Sequence, residues 1–358
     1  GRVVSGSVSL YRERDAYLIM QNVGVNEVMI STHDEMKHQI KELLRQYEFA
    51  TPPEVSYLTA SENQIYIVND HDSGNRYVVR INSGRLAYHN AEQIHSEMMW
   101  LDALSRDTDI IVPRVLAAKD GSWVQELSVP GKDKPGYAVA YSFLEGVEPP
   151  ENELLSGFER LGTISAHMHA HATRWVPPED FSRPTWTPEA ILNNQLAWGD
   201  WREGVNIDAE ALHLLQRAET VIHRRLEDAD VGSGNYGLIH ADLRLANLLI
   251  HGATTAIIDF DDCGLGWYLF DLAGALSFLE EREDVPDLIN SWVRGYRKVA
   301  EIPADAEVMI PTLIMLRRIQ LIGWLGYQQN HLDFARQIGQ TFTTDSCRLA
   351  GEFLDRFG

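Results

Sequence analysis

Apolar and polar positions follow two different periods along the chain. Between residues 55 and 143, short β-branched and aromatic runs alternate with polar turns, a pattern typical of strands. Six such runs, residues 55–58, 64–69, 77–81, 113–116, 122–127 and 137–143, are the candidates for strands, and we predict that they form a five-stranded antiparallel sheet. Elsewhere apolar residues recur at helical spacing, which predicts helices at residues 32–47, from 90 onward, 158–171, 209–228, 285–300, 306–329 and 334–357.

The helix predicted at residues 32–47 begins at Thr32, with Glu35 three positions later, which is the spacing of a capping box. Its apolar stripe consists of Met36, Ile40, Leu43 and Leu44. Farther along, the last strand ends in Gly146 and two prolines, a change of composition that marks a boundary. We predict an α+β protein with an N-terminal extension and helix (1–50), a sheet lobe (51–145) and a larger, mainly helical lobe (146–358).

Composition narrows the classes of protein. Of the 358 residues, 44% are hydrophobic, which is enough for a substantial core. The sequence contains no long apolar run, so we expect no membrane span. The formal charge of −21 argues against a nucleic-acid partner. It suits a cationic substrate, although solubility alone would explain it equally well. Two cysteines cannot form a disulfide framework, and the opening residues lack a signal-peptide core, so we expect a cytoplasmic protein.

The most informative stretch is residues 237–260. Two short apolar strands, 247–251 and 255–258, are joined by a turn at Gly252, and polar residues stand at both ends. The pattern H-x-D-x-x-x-x-N is formed by His240, Asp242 and Asn247, and Asp259 follows twelve residues after the Asn. This spacing matches the catalytic loop and the metal-binding Asp of kinases. The alternative is an ordinary buried hairpin with polar turns.

A second candidate feature is Arg80, which stands in an otherwise apolar strand. A buried cation needs an anionic partner, and Glu97 lies beside the core stripe of the following helix. We therefore predict an Arg80–Glu97 ion pair. On these residues alone, the pair is a structural link between strand and helix.

Together these motifs resemble the aminoglycoside phosphotransferase, choline kinase and type II homoserine kinase group, the small-molecule branch of the kinase fold, from about residue 52 to the end. The resemblance implies a bilobal protein-kinase-like fold, ATP as phosphate donor and Mg²⁺. It implies Asp242 as the base for a substrate hydroxyl, and Asn247 and Asp259 as metal ligands. Arg80 with Glu97 would replace the Lys–Glu pair that holds the phosphates in kinases.

Four further residues are assigned to the nucleotide through the same resemblance. The turn before the second strand stands where kinases cover the phosphates. It has no glycine-rich motif, and Ser61 and Asn63 are its candidate contacts, unless the turn is only a polar hairpin. The backbone near Ser142 and Leu144 would meet the adenine edge.

The catalytic loop contains other polar residues whose roles stay open. Arg244 would neutralise charge on the transferred group or remain an exposed loop residue, and His240 would brace the loop backbone. Asp271 corresponds to an Asp that braces this loop in the family. Asp261 and Asp262 would bind a second metal, bind a cationic substrate or simply end the strand.

Histidine and tryptophan clusters have simpler explanations as well as functional ones. His167, His169 and His171 diverge on a helix, so we expect core or surface residues rather than a metal site. The segment 181–201 is rich in tryptophan, either lining a substrate cleft or belonging to the core. Its candidates for stacking on a substrate are Trp186, Trp198 and Trp201.

The leading function is therefore phosphate transfer from ATP to a hydroxyl of a small molecule, such as an amino alcohol, a homoserine-like amino acid or an aminoglycoside. A stress-type protein Ser/Thr kinase of the same branch is the first alternative. The short connection between Asp259 and Asp271, with no A-P-E element, favours a small substrate. A non-catalytic nucleotide-binding protein is the second alternative, and the presence of Asp242, Asn247 and Asp259 argues against it.

Overall fold

The computed structural model describes residues 27–358 except 61, 83, 85, 228, 230, 231, 233 and 331, and it does not describe the side chains of residues 27–33 and 151. The chain divides into two compact units. The first comprises the described residues up to 148 together with 179–182 and 249–258. The second comprises 149–178, 183–248 and 259–358.

The first unit is built on an antiparallel sheet. Its strands are β1 (Glu54–Ala60), β2 (Gln64–Asn69), β3 (Arg76–Asn82), β4 (Val115–Leu116), β5 (Gln125–Leu127) and β6 (Gly136–Ser142). They pair in the order β1-β2-β3-β6-β4, and β5 also pairs with β6. The described sheet thus has six strands rather than the five predicted, because both β4 and β5 are short enough to share β6 as a partner.

Two helices accompany this sheet, α1 (Glu27–Leu44) and α2 (Ala91–Asp107). The predicted stripe of α1 is buried, and it packs in one core with sheet residues such as Tyr66, Val79 and Ile81. The prediction that Thr32 caps α1 is wrong, because the helix already includes residues 27–31. In α2 the Asn90 side chain accepts a hydrogen bond from the backbone N–H of Gln93, which fixes the helix start.

A β-hairpin follows the catalytic-loop motif. It consists of β8 (Leu248–His251) and β9 (Thr254–Ile257), and Gly252 between them has φ +59°, a conformation that favours glycine. Asn247 belongs to the 3₁₀ turn Leu245–Asn247 rather than to the strand. Within the first unit, residues 249–258 bridge to Val147 and Ile111, so the hairpin extends this unit.

The second unit is mainly helical. Its two-stranded sheet pairs β7 (Tyr236–Ile239) with β10 (Gly264–Trp267). Its helices are α3 (Leu154–Arg174), α4 (Pro188–Leu192), α5 (Ala209–Glu227), α6 (Phe270–Ala275), α7 (Val285–Tyr296), α8 (Ala304–Glu307), α9 (Ile310–Gln328) and α10 (Asp333–Phe357). The helix predicted at 306–329 is thus interrupted, and Pro311 lies in the first turn of α9, where a missing N–H costs nothing.

Helix α9 is the centre of this unit. It is apolar almost all round and buried along most of its length, as expected for a core helix. Two glycines let α3 and α7 approach each other closely. A Cβ at Gly162 would lie 1.9 Å from the carbonyl oxygen of Trp292, and a Cβ at Gly295 would lie 1.9 Å from that of Glu159.

The tryptophan-rich segment belongs to the core of the second unit. Trp186, Trp198 and Trp201 are buried, and the Trp186 ring packs against Trp198 edge to face. The interpretation of these three residues as a stacking surface for substrate is therefore wrong. Among the described helices, none is both long and apolar enough to cross a membrane.

Candidate active site

The backbone after β7 adopts a strained conformation. Ala241, between His240 and Asp242, has φ +67°, which non-glycine residues adopt only when the surroundings enforce it. Asp271, at the start of α6, supplies that constraint. Its Oδ1 accepts a 2.7 Å hydrogen bond from the Ala241 N–H, and its Oδ2 accepts one of 3.2 Å from the His240 N–H. Asp271 therefore fixes the direction in which the chain presents Asp242.

Asp271 is in turn held by a buried network. His169 Nε2 lies 2.9 Å from Asp271 Oδ2, and His169 Nδ1 lies 3.1 Å from the Tyr296 hydroxyl. With the proton on Nε2, His169 donates to the Asp271 carboxylate, and its Nδ1 is left to accept from the Tyr296 hydroxyl. Burial, with the nearby Tyr268 and Asp271, raises the pKa of Tyr296 above its ordinary value, which keeps this phenol a donor.

The Tyr268 ring stacks on His169 with 4.3 Å between centroids. His169 therefore has a structural role in bracing Asp271. His167, on the same helix, is exposed.

The Asp242 carboxylate is the centre of the polar cluster. Its Oδ1 accepts a 2.5 Å hydrogen bond from Arg317 Nη2 on α9. Its Oδ2 lies 3.3 Å from Asn247 Nδ2, and Arg244 Nε lies 3.2 Å from both oxygens. Arg244 is therefore close to the proposed base, while His240 is fully buried with its ring against Phe260.

Asn247 is buried and oriented by its own amide. Its Nδ2 donates a 2.8 Å hydrogen bond to the Asp242 backbone carbonyl. Its Oδ1 is buried without a hydrogen-bond donor among the described residues. A buried acceptor with no donor is costly in free energy, and coordination to a cation would satisfy such an oxygen. Asn247 Oδ1 is therefore suited to the predicted role of Asn247 as a metal ligand.

Asp259 follows the hairpin and is half-buried, with φ +68°. Side chains of the tryptophan-rich segment hold the backbone just after it. Arg183 donates to the carbonyl oxygens of Cys263 (2.7 Å) and Asp261 (2.5 Å), and Trp186 Nε1 donates to that of Asp262 (2.9 Å). The tryptophan-rich segment thus holds the backbone of the loop that contains Asp261 and Asp262. Among the described residues, no group of three or more His, Cys, Asp and Glu side chains is arranged to hold a metal.

The predicted pair of Arg80 and Glu97 is confirmed in the first unit. Two parallel hydrogen bonds of 2.7 and 2.6 Å join Arg80 Nη1 and Nη2 to the two carboxylate oxygens, and both side chains are buried. Arg80 Nε donates to Asn82 Oδ1 (3.0 Å), and Asn82 Nδ2 donates to Asn63 Oδ1 (2.9 Å). Three of the predicted cofactor residues are thus linked through Asn82.

The predicted cofactor residues Ser142 and Leu144 lie at the end of β6 and just after it. Ser142 ends β6, where its N–H donates to the Arg114 carbonyl (2.8 Å) and its hydroxyl accepts from the Arg114 N–H (2.9 Å). Leu144 follows β6 and is half-buried. Ser61 lies outside the described residues.

Arg317 and Asn82 were missed by the sequence reasoning. Arg317 and Arg318 are adjacent charges in an otherwise apolar run of α9. The argument that identified Arg80, namely that a buried cation needs an anion, would have marked them as well. What the sequence could not supply is the partner, because Asp242 lies 75 positions earlier in the chain.

The chain is matched over residues 56–308 by the model of the phosphotransferase enzyme family, and it belongs to this family. The resemblance stated from the motifs is therefore confirmed. The enzyme is an ATP-dependent phosphotransferase with an alcohol group as acceptor.

Individual relatives are consistent with this class. Amicoumacin kinase of Bacillus subtilis (strain 168) is 25% identical over 321 residues, covering 83% of this chain and 88% of that protein. The solved microcompartment-associated aminopropanol kinase is 37% identical with a TM-score of 0.79, covering 89% of this chain and 98% of that chain. Amicoumacin kinase hAmiN, solved with AMP-PNP, Ca²⁺ and Ami, is 21% identical with a TM-score of 0.72, covering 88% and 96%. The predicted kinase-like α+β fold is confirmed.

Proposed function

We propose that this enzyme transfers the γ-phosphate of ATP to the hydroxyl group of a small amino alcohol, with Asp242 as the base. Residues 51–145 bind the nucleotide in this proposal, and residues 146–358 carry the catalytic loop and the acceptor site. The observation that carries the proposal is the Asp242 carboxylate, held by Arg317 in a loop that Asp271 fixes through two backbone N–H groups.

Such an arrangement suits phosphoryl transfer. The transition state of this reaction is loose, so positioning and charge neutralisation contribute more than base strength. Asp242 orients the acceptor hydroxyl and takes its proton as the new oxygen–phosphorus bond forms and the bond between the γ-phosphorus and the bridging oxygen of ADP breaks, so that ADP leaves. The oxygen that receives the hydroxyl is Oδ2, since its contacts at 3.2–3.3 Å are longer than the 2.5 Å bond at Oδ1.

Asn247 and Asp259 are the residues that would hold Mg²⁺. Asn247 Oδ1 is a buried acceptor without a donor among the described residues, and a carboxylate and an amide oxygen are ligands that Mg²⁺ accepts. Bound Mg²⁺ supplies positive charge to the phosphate oxygens. Arg244 is a second source of positive charge close to Asp242, because its side chain is 24% exposed and can turn toward a phosphate.

On the nucleotide side, the Arg80–Glu97 pair fixes a guanidinium beside Asn82 and Asn63. Because Arg80 Nη1 and Nη2 already donate to the two carboxylate oxygens of Glu97, we assign to Arg80 a fixed positive charge for the phosphates rather than a bidentate contact. We assign the adenine edge to the backbone at Leu144. The Ser142 N–H and hydroxyl are already engaged by Arg114, which makes Ser142 the weaker of the two candidates.

The choice of an amino alcohol rests on similarity and charge. A protein 37% identical over most of the chain is an aminopropanol kinase, and the formal charge of −21 is compatible with a cationic acceptor. Asp261 and Asp262 are the candidate partners for an ammonium group, because they follow Asp259 in the loop that Arg183 and Trp186 hold.

An acceptor panel tests this proposal. Mg·ATP turnover is measured with aminopropanol, ethanolamine, choline, homoserine, an aminoglycoside and a generic protein, for wild type and Asp242→Asn. Asp355→Asn, an exposed carboxylate on α10, is the matched control. We expect ADP release that depends on a small amino alcohol and disappears only in Asp242→Asn. Turnover restricted to protein, or unchanged turnover in Asp242→Asn, would overturn the proposal.

A further inference from the structure

The Arg317 side chain contacts the catalytic loop at two points. Besides its 2.5 Å bond to Asp242 Oδ1, Arg317 Nη1 lies 3.4 Å from the carbonyl oxygen of Ala241, the residue at φ +67°. Asp271 holds the N–H side of the same residue. The strained backbone of Ala241 is therefore held on both sides, by a carboxylate at its N–H and by a guanidinium at its carbonyl oxygen.

The guanidinium itself is fixed by groups that carry no charge. Arg317 Nε donates to Ser277 Oγ (3.0 Å) and Nη1 donates to Gln320 Oε1 (3.1 Å). Its central carbon lies 5.0 Å from the centroid of the Trp198 ring. The side chain is 2% exposed, so its charge is almost fully removed from water. A guanidinium held on three sides cannot follow a carboxylate that rotates.

Arg317 differs from its neighbour Arg318 in its charged partners. Arg318 contacts two carboxylates, Glu280 and Glu281, together with Ser346, and it ties α9 to the segment after α6. Among the described residues, the charged partner of Arg317 is Asp242. A buried ion pair is weak evidence for stability, since desolvation offsets its attraction. Because the charged partner of Arg317 is Asp242, the proposed base, we infer a role for Arg317 in the reaction rather than in stability.

We propose that Arg317 is a positioning residue for the base: it immobilises Asp242 through Oδ1 and so presents Oδ2 to the acceptor hydroxyl. This inference rests on the proposed function, in which Asp242 is the base. Arg317 touches neither acceptor nor nucleotide in this account. It acts through Asp242, and a misplaced reactive group lowers the rate by about 10²-fold for a shift of 1 Å.

The test compares Arg317→Met, Arg317→Lys and the control Arg318→Met, alone and in the Asp242→Asn background. Steady-state kinetics give kcat and the KM values for acceptor and ATP, and thermal unfolding gives the Tm. We expect Arg317→Met to lower kcat by about 10²-fold with KM values within about twofold. Arg317→Lys restores part of kcat, because an ammonium can still donate to Oδ1. In the Asp242→Asn background, Arg317→Met has no further effect on kcat.

Several results would overturn the inference. The first is a folded Arg317→Met enzyme with wild-type kcat. The second is an equal loss of kcat in Arg317→Met and Arg318→Met. The third is a loss of kcat from Arg317→Met that adds to the loss from Asp242→Asn. A crystal structure of Arg317→Met in which the Asp242 carboxylate keeps its orientation would do the same without any activity measurement. Wild-type enzyme in the same assay separates the two ideas: without wild-type transfer the proposed function and this inference both fail, whereas normal Arg317→Met kinetics refute only the inference.

Discussion

Arg80 of β3 and Glu97 of α2 form two parallel hydrogen bonds, 2.7 and 2.6 Å long, in a region that is almost closed to water. Removing one member of such a pair leaves an uncompensated buried charge. We predict that Arg80→Met lowers the free energy of unfolding by about 3–5 kcal/mol and that Arg80→Met/Glu97→Met recovers part of it. Urea unfolding measures both values.

The exposed pair Arg348–Glu352 on α10 offers a matched control, because both side chains are more than half exposed. Arg348→Met is expected to cost less than about 1 kcal/mol. If Arg80→Met were no more destabilising than Arg348→Met, the Arg80–Glu97 pair would not be a buried ion pair in solution.

Asp271 accepts hydrogen bonds from the backbone N–H groups of His240 and Ala241 and contacts His169. In Asp271→Asn one carboxylate oxygen becomes an NH₂ group that faces a donor. We predict a loss of about 1–3 kcal/mol in the free energy of unfolding, because a buried donor is left unsatisfied. We also predict a lower kcat, because Ala241 relaxes from φ +67° and moves Asp242. Urea unfolding and steady-state kinetics on one preparation check both; an unchanged kcat would show that Asp271 does not set the position of Asp242.

Asn247 Oδ1 has no donor among the described residues, and we assign it to the metal. The expected result for Asn247→Ala is a half-saturating Mg²⁺ concentration raised by at least about 10-fold, the scale on which groups around a metal affect its affinity. Initial rates at fixed ATP against free Mg²⁺ give this value. Asn206→Ala is the control, since Asn206 donates to a backbone carbonyl on the surface of the second unit. Equal Mg²⁺ dependence in both variants contradicts the assignment.

Helices α3 and α7 contact each other at Gly162 and Gly295, where the close approach of the two backbones leaves no room for a side chain. A Cβ at Gly162 would lie 1.9 Å from the Trp292 carbonyl oxygen, and Gly162→Ala is expected to destabilise by about 1–3 kcal/mol or more. Gly351 of α10 has nothing within 4 Å of such a Cβ, and Gly351→Ala is expected to stabilise by about 0.4–1 kcal/mol. Thermal unfolding of the two variants must therefore shift in opposite directions; a shift in the same direction would refute the predicted contact.

Local patterns predicted the elements well because each depends on neighbouring residues. The stripe of Met36, Ile40, Leu43 and Leu44 is buried as expected, and Asn90 begins α2. The predicted start of α1 at Thr32 was wrong, because the spacing of a capping box looks the same in the sequence whether it lies inside a helix or at its end.

The catalytic-loop part of the candidate site was predictable because its residues lie close together in the chain. His240, Asp242 and Asn247 stand within eight residues, so their spacing is visible in the sequence. Arg317 reaches Asp242 from a distant helix, and periodicity gives no information on which helices meet. The tryptophans show the same limit: aromatic residues suit a cleft and a core equally well, and only burial assigns Trp186 to the core.

The proposed reaction is phosphoryl transfer to a hydroxyl group under the control of Asp242. The most direct measurement is mass spectrometry of the acceptor after incubation of aminopropanol with Mg·ATP and either wild type or Asp242→Asn. We predict O-phosphorylated aminopropanol in step with ADP for wild type, and a rate lower by about 10²–10⁴-fold for the variant. ADP without phosphorylated acceptor, or equal product from both enzymes, would contradict it.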